Sequence, residues 1–256
     1  MTQTMRRNTG IRIFSLGLFL LFWNGLSVLL GDPQVLPSPL QVFHEMSVLW
    51  QQGKLQENLV ATGWRVTAAF GLAMLIGGAF GYAMGRSDNL DAWLDPWLII
   101  FLNLPALVLI VLCYLWVGLN EFAAVLAVTL SKVPMTTTII REGARNSSSA
   151  LRDLASVYRL SLLTKLRHII LPELFPHIVS AARTGFSVIW KIVLVVEFLG
   201  RPNGIGRQIH TQFSLFDVTG VLAYALSFVI CILFIEFAIM QPSEKRVGRW
   251  RVDAEA

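Results

Sequence analysis

The sequence predicts an all-α protein, a bundle of about six membrane-crossing helices with one long basic loop on its inner side. Three observations predict it. Hydrophobic residues make up 55% of the 256 positions and charged residues only 14%, against roughly 25% charged in soluble domains. The mean hydropathy is +0.61. The apolar residues gather into runs of the roughly 20 residues that a helix needs to cross a hydrocarbon core of about 30 Å. A soluble domain so composed would leave large apolar patches in water.

The first run, about 13–30, follows Arg6, Arg7 and Arg12. Those flanks suit a signal peptide. No small-x-small cleavage site precedes Gly31 and five more runs follow, so it reads as a retained helix. A polar stretch with Pro33, Pro37 and Pro39 leads to the second run, about 59–84. The third, about 93–117, is interrupted by Pro96 and Pro105, and the fourth, about 121–140, contains Pro134. A basic loop occupies about 141–172, with its second helix expected to end at Pro172. The fifth run is about 174–199, a short loop covers 200–217, and the sixth run is about 218–240. Residues 1–12 and 241–256 then form basic terminal segments around a transmembrane domain of residues 13–240.

Charge orients this set. With the N-terminus in the cytoplasm, Arg86, Arg141, Arg145, Arg152, Arg159, Lys165, Arg167 and the basic tail fall inside, and only Lys54, Arg201 and Arg207 outside. Basic residues collect on the cytoplasmic side of membrane proteins, so both termini and the basic loop are expected there. The pI of about 9.6 follows from this topology and does not imply nucleic-acid binding.

Several motifs bear on chemistry. Gly77, Gly81 and Gly85, with Ala73 one turn earlier, form a small-residue face on the second run. Such a face lets another helix approach closely, and packing within the chain is expected over a subunit interface. Arg65, Lys132, Arg183, Lys191 and Glu197 lie in or near apolar runs. Ionisable groups at membrane depth cost a few kcal/mol or more and usually face protein or water. Arg183 and Lys191, eight residues apart, sit about 80° apart around a helix. Together with Glu197 they are candidates for a solute path. Cys113 and Cys231 lie within apolar runs, and His44, His168, His177 and His210 are dispersed, so no metal site is expected. There is no glycine-rich nucleotide loop and no nucleophile–base–acid set. The chain is not expected to be an enzyme or to hold a cofactor.

The basic loop carries the strongest signal. Asp153 suits a helix start, and Leu154, Val157 and Leu160 give a small apolar face continued by Leu163, Leu166, Ile169 and Ile170. Tyr158 and Arg159 are left to project toward a partner.

These residues resemble the permease subunit of bacterial binding-protein-dependent ABC importers, in the nitrate, sulfonate and taurine branch. The family loop reads approximately E-x-A, three residues, G, about twelve residues, then L-P. Asp153 and Ala155 stand for the first two, Ser161 for the small residue after the turn, and Leu171–Pro172 for the closing pair. The glycine position is Arg159 here. Glycine permits a positive φ at no steric cost, so arginine predicts a bend that is shifted or made with ordinary angles. The resemblance runs along nearly the whole chain, through LPSP at 36–39, Trp64–Arg65, DPW at 95–97, W-x-G at 116–118, Glu197-Phe198-Leu199 and GIG at 204–206. It implies a cytoplasmic ATP-binding subunit, an external solute-binding protein and a second copy of the permease. It also implies an ATPase-coupling surface on Asp153, Ala155, Ser156, Tyr158, Arg159, Leu160, Ser161 and Pro172. Lys191, Arg183 and Glu197 would then line a path for a small anionic solute. The alternative is an ion-coupled secondary transporter. A chain of that kind would show paired inverted halves, and no second half is evident here.

Overall fold

The computed structural model describes residues 2–147, 157–236 and 238, and every regular element among them is helical. The elements are α1 (Thr2–Leu30), α2 (Pro39–Gln51), α3 (Lys54–Arg86), α4 (Asp88–Asn103), α5 (Ala106–Val117) and α6 (Glu121–Arg145). After the basic loop come α7 (Leu162–Lys165), a π-helical turn (Leu166–Ile170), α8 (Leu171–Gly200), α9 (Ile205–Ser214) and α10 (Val218–Ile235).

Among the described residues, four helical runs are long and apolar enough to cross a membrane singly: α3, α6, the run Leu163–Gly200, and α10. The helices α4 and α5 are long and apolar enough only as a pair, which is bent by 98° at its junction. In α1 the apolar stretch Phe14–Leu30 is shorter. The junction of α4 and α5 is Leu104–Pro105. Only one of the two prolines expected to interrupt this span does so, because α4 runs straight through Pro96.

The core is the triangle of α3, α6 and α8. The glycine stripe of α3 faces α6 within the chain, as expected. A Cβ on Gly77 would lie 2.7 Å from Thr136 Cβ, and one on Gly85 would lie 2.6 Å from Ala144 Cβ. The two backbones therefore touch over three turns. Trp190 continues the core, with edge-on contacts to Phe186 and Phe228. Tyr114 on α5 donates to the Val196 carbonyl on α8 at 2.9 Å.

Two polar stretches read as loops contain helices. In α2, Pro39 occupies the first turn, and Ser38 and Gln41 form a reciprocal capping box, so the Ser38 and Gln41 N–H groups are satisfied. The helix buries Val42 and Leu49 and packs against α10. The other, α9, lies across α8 and α10.

The expected helix end at Pro172 is corrected by the structure. Helix continues from Leu163 to Gly200, and Pro172 sits in the first turn of α8. A proline inside a helix lacks one N–H and crowds the carbonyl four residues earlier. The π turn before it widens the helix locally, with Leu171 N–H donating to the Leu166 carbonyl, so the ring is accommodated without a break.

Candidate functional site

The bundle has two ends. The basic end carries Arg86, Arg141, Arg145 and the loop, and the far end carries the starts of α3 and α6 and the end of α8. Each end holds a cluster of charges. A polar face of α8 runs between them.

At the far end, Arg65 on α3 is buried and fully engaged. Its Nε donates to Glu121 Oε1 at 2.6 Å, and its Nη1 to Glu197 Oε1 at 2.6 Å and the Asn203 carbonyl at 2.9 Å. Its Nη2 donates to Glu121 Oε2 at 3.2 Å and Asn203 Oδ1 at 2.5 Å. Glu121 also pairs with Arg201. Glu197 is fully buried. Its Oε2 accepts from Thr62 Oγ1 and from the Gly206 N–H, both at 2.9 Å. Thr62 in turn accepts from the Ile205 N–H at 3.0 Å, and Asn58 Oδ1 accepts from the Gly204 N–H at 2.7 Å.

The N-terminus of α9 thus points its free N–H groups at a carboxylate and two side-chain oxygens, an arrangement its dipole favours. Two glycines make the approach possible. Gly204 has φ +108°, and a Cβ there would run into the Glu197 carboxylate. At Gly206 a Cβ would lie 2.8 Å from Glu197 Cβ and strike the Leu194 carbonyl. The GIG motif is therefore the footprint of Glu197. Two arginines balance two glutamates, and α3, α6, α8 and α9 are joined through them.

At the basic end, Arg141 Nη1 reaches Asp91 Oδ1 at 3.2 Å and Asp95 Oδ1 at 2.5 Å, and Arg145 pairs with Asp91 as well. Ser147 Oγ donates to Glu173 Oε2 at 2.5 Å. This cluster ties α6 to α4 and to the start of α8. It opens at Asp95 and Arg145, 38% and 41% exposed, whereas the far cluster opens at Glu121, 41% exposed, and keeps Arg65 and Glu197 buried.

Lys132, in the middle of α6, is buried against Gly185, and its Nζ donates to the thioether sulfur of Met135 at 2.9 Å.

The expected path residues separate. Glu197 belongs to the buried far cluster. Lys191 and Arg183 are exposed on α8 together with Ser180 and Ser187, and Thr184 is half-buried beside them. At about 100° per residue, Ser180, Thr184, Ser187 and Lys191 fall on one stripe with Arg183 at its edge. The hydroxyls of Thr184 and Ser187 donate back into their own helix, to Ser180 and Arg183 carbonyls at 2.9 and 3.2 Å.

In the basic loop, Asp153, Ala155 and Ser156 lie outside the described residues. Tyr158, Arg159 and Ser161 are exposed, and Leu160 is half-buried. Ser161 Oγ accepts from the Thr164 N–H at 3.2 Å, which caps the helical run that follows. Arg159 has φ +47°. The bend stays at the family's glycine position and is made with a left-handed backbone, correcting the expectation of a shifted bend or ordinary angles. A side chain there costs roughly 1–2 kcal/mol. The apolar stripe is only partly covered: Val157 and Leu163 are exposed, whereas Ile170 packs against the core cluster around Ile140 and Leu174. Thr62, Asn58, Glu121 and Asn203 were not singled out from the sequence. The available signal was the need of a buried Arg65 for acidic partners.

The family described as the inner membrane component of binding-protein-dependent transport systems matches residues 71–247. The chain belongs to this family. As an ABC transporter permease it is 31% identical over 201 residues to the putative aliphatic sulfonates transport permease SsuC of Escherichia coli K12, covering 75% of each chain. The taurine transport permease TauC of the same strain is 23% identical to it over 98% of this chain and 93% of TauC. An amino acid ABC transporter of known structure shares the permease's fold, with a TM-score of 0.59 at 19% identity, over 78% of this chain and 97% of that one.

Proposed function

We propose that this permease forms half of the path of an ATP-driven importer for a small anion of the sulfonate, taurine, nitrate or bicarbonate kind. Its cargo arrives from an external binding protein, and the chain itself makes and breaks no covalent bond. The observation that carries the solute class is the polar face of α8. A lysine turned to hydrocarbon costs about 2.5–3.5 kcal/mol at the membrane centre, whereas a water-lined path accepts it. Lys191, with Arg183 at the stripe's edge, makes such a path cationic. Permeases of taurine, aliphatic sulfonate and bicarbonate systems are among the relatives, which supports the same class. The permease pairs with a second copy across this face, the basic end is cytoplasmic, and both termini lie there.

Coupling runs through Asp153, Ala155, Ser156, Tyr158, Arg159, Leu160, Ser161 and Pro172, of which exposed Tyr158 and the tight bend at Arg159 suit a docking knob. Closing of two ATP-binding subunits would move these knobs together and reorient the spans between two exclusive states.

The solute test is uptake by the complex reconstituted in liposomes, with taurine, methanesulfonate and bicarbonate as probes. Lys191→Ala is expected to lower uptake at least tenfold with assembly intact. Unchanged uptake would remove Lys191 from the path. For the coupling surface, Arg159→Glu is expected to weaken co-purification of the ATP-binding subunit; full recovery of that subunit argues against the surface.

A further inference from the structure

The charged cluster at the basic end has a mechanical setting that the far cluster lacks. Arg141 and Arg145 lie in the last turn and a half of α6, directly before the loop. Their partners Asp91 and Asp95 both lie on α4. Beyond these pairs α4 is poorly held. Leu98 is its one buried residue. Its middle spans an apolar cavity of about 200 Å³ between α3, α4 and α6, lined by Met84, Leu94, Leu98, Phe101, Val133 and Thr137 among others. At its distal end stands the 98° break at Leu104–Pro105. A helix tied to its neighbour by ion pairs at one end and broken at the other can swing about the break while α3 and α6 stay packed on each other. What grips it is the root of the loop.

We propose that Asp91 and Asp95 are positioning residues of the transport cycle: through Arg141 and Arg145 they fasten α4 to the end of α6. Displacement of the loop is thereby passed to the α4–α5 span. This rests on the importer reading above and adds an element that reading does not contain. Motion entering at residues 146–161 leaves by two routes, through the α6 backbone and through the ion pairs into α4. With the pairs cut, α6 still moves and the ATP-binding subunits still turn over, but α4 no longer follows. Hydrolysis then proceeds without matching transport.

The experiment uses the complete transporter in liposomes, and its readout is solute accumulated per ATP hydrolysed, with isotope-labelled taurine, methanesulfonate, bicarbonate and nitrate as probe cargo. Asp95→Asn and Arg141→Gln are expected to lower that ratio at least fivefold while ATP hydrolysis stays within twofold of the unsubstituted complex. A second variant carries Asp95→Cys and Arg141→Cys in a background with Cys113→Ala and Cys231→Ala, with and without a short reductant-cleavable bis-thiosulfonate linker. One folded protein is thus compared with itself. The linked form is expected to recover at least half of the ratio, and the cleaved form to lose it again. An unchanged ratio in Asp95→Asn and Arg141→Gln overturns the proposal. A loss that the linker does not repair overturns it too, because the substitutions would then act on folding alone. An unsubstituted complex that hydrolyses ATP but accumulates none of taurine, methanesulfonate, bicarbonate or nitrate overturns the small-anion reading on which this inference rests.

Discussion

The two charged clusters use the same side chains to opposite ends. At the far end Arg65 and Glu197 are 3% and 0% exposed, and each oxygen of Glu197 has a partner. At the basic end Arg141 has two aspartates on one nitrogen, and Asp95 and Arg145 reach solvent. Each cluster also holds one arginine Nε buried without a hydrogen bond, Arg141 here and Arg201 at the far end, where Glu121 is the exposed member. Low surrounding polarity strengthens the first set and makes any single removal costly. The second is partly screened, and each pair in it contributes little to stability. The difference teaches where this permease is built to be rigid and where it can yield. The far cluster holds four helices at fixed positions. The basic cluster holds one loosely packed helix that lies beside the loop through which force would enter.

Breaking the far cluster is expected to have the largest effect. Glu197→Ala removes one of the two carboxylates on buried Arg65 and leaves the Thr62 hydroxyl and the Gly206 N–H without their acceptor, and is expected to cost about 3–5 kcal/mol. Thermal unfolding of the purified permease in detergent checks it, and a melting temperature within a degree or two of the parent would show that the cluster is not the rigid element argued here. Gly206→Ala keeps every charge but pushes α9 off Leu194 and Glu197. Overpacking of this kind costs about 1–3 kcal/mol, so its melting point should fall between those of the parent and Glu197→Ala. Asp95→Asn at the basic end, where the carboxylate is 38% exposed, is expected to shift stability by about 1 kcal/mol or less. That small loss should shrink further on raising salt from about 0.05 to 0.5 M, because partly exposed pairs are screened, whereas the loss from Glu197→Ala should not. Equal salt dependence at the two ends would erase the contrast.

Much of this arrangement was legible before folding, for reasons particular residues make plain. The glycine stripe at 77, 81 and 85 announces a helix contact because only small residues let backbones meet, and the face it makes packs within the chain. The loop motif around Arg159 was legible, although its backbone was misjudged: propensity disfavours an arginine at φ +47°, and the surrounding turn imposes it. The capping box at Ser38 and Gln41 signals α2 in a stretch dismissed as polar loop, since the long prolines-and-polar run drew attention away from its buried Val42 and Leu49. Glu197 was placed on the path with Lys191. Six residues separate them, which puts them about 120° apart around α8.

Four of the six expected membrane-crossing segments, those in α3, α6, α8 and α10, were determined by sequence alone. A chain in hydrocarbon must satisfy its backbone hydrogen bonds within each segment, so a run of apolar residues is already a helix wherever its neighbours lie. The destination of each charge was decided by tertiary structure. Arg65 and Glu197 are 132 residues apart, and no local rule joins them. Only the meeting of α3, α6, α8 and α9 turns two costly ions into one satisfied network, and only the approach of α4 to the end of α6, with Asp91 and Asp95 on Arg141 and Arg145, distinguishes its aspartates from ordinary surface acids.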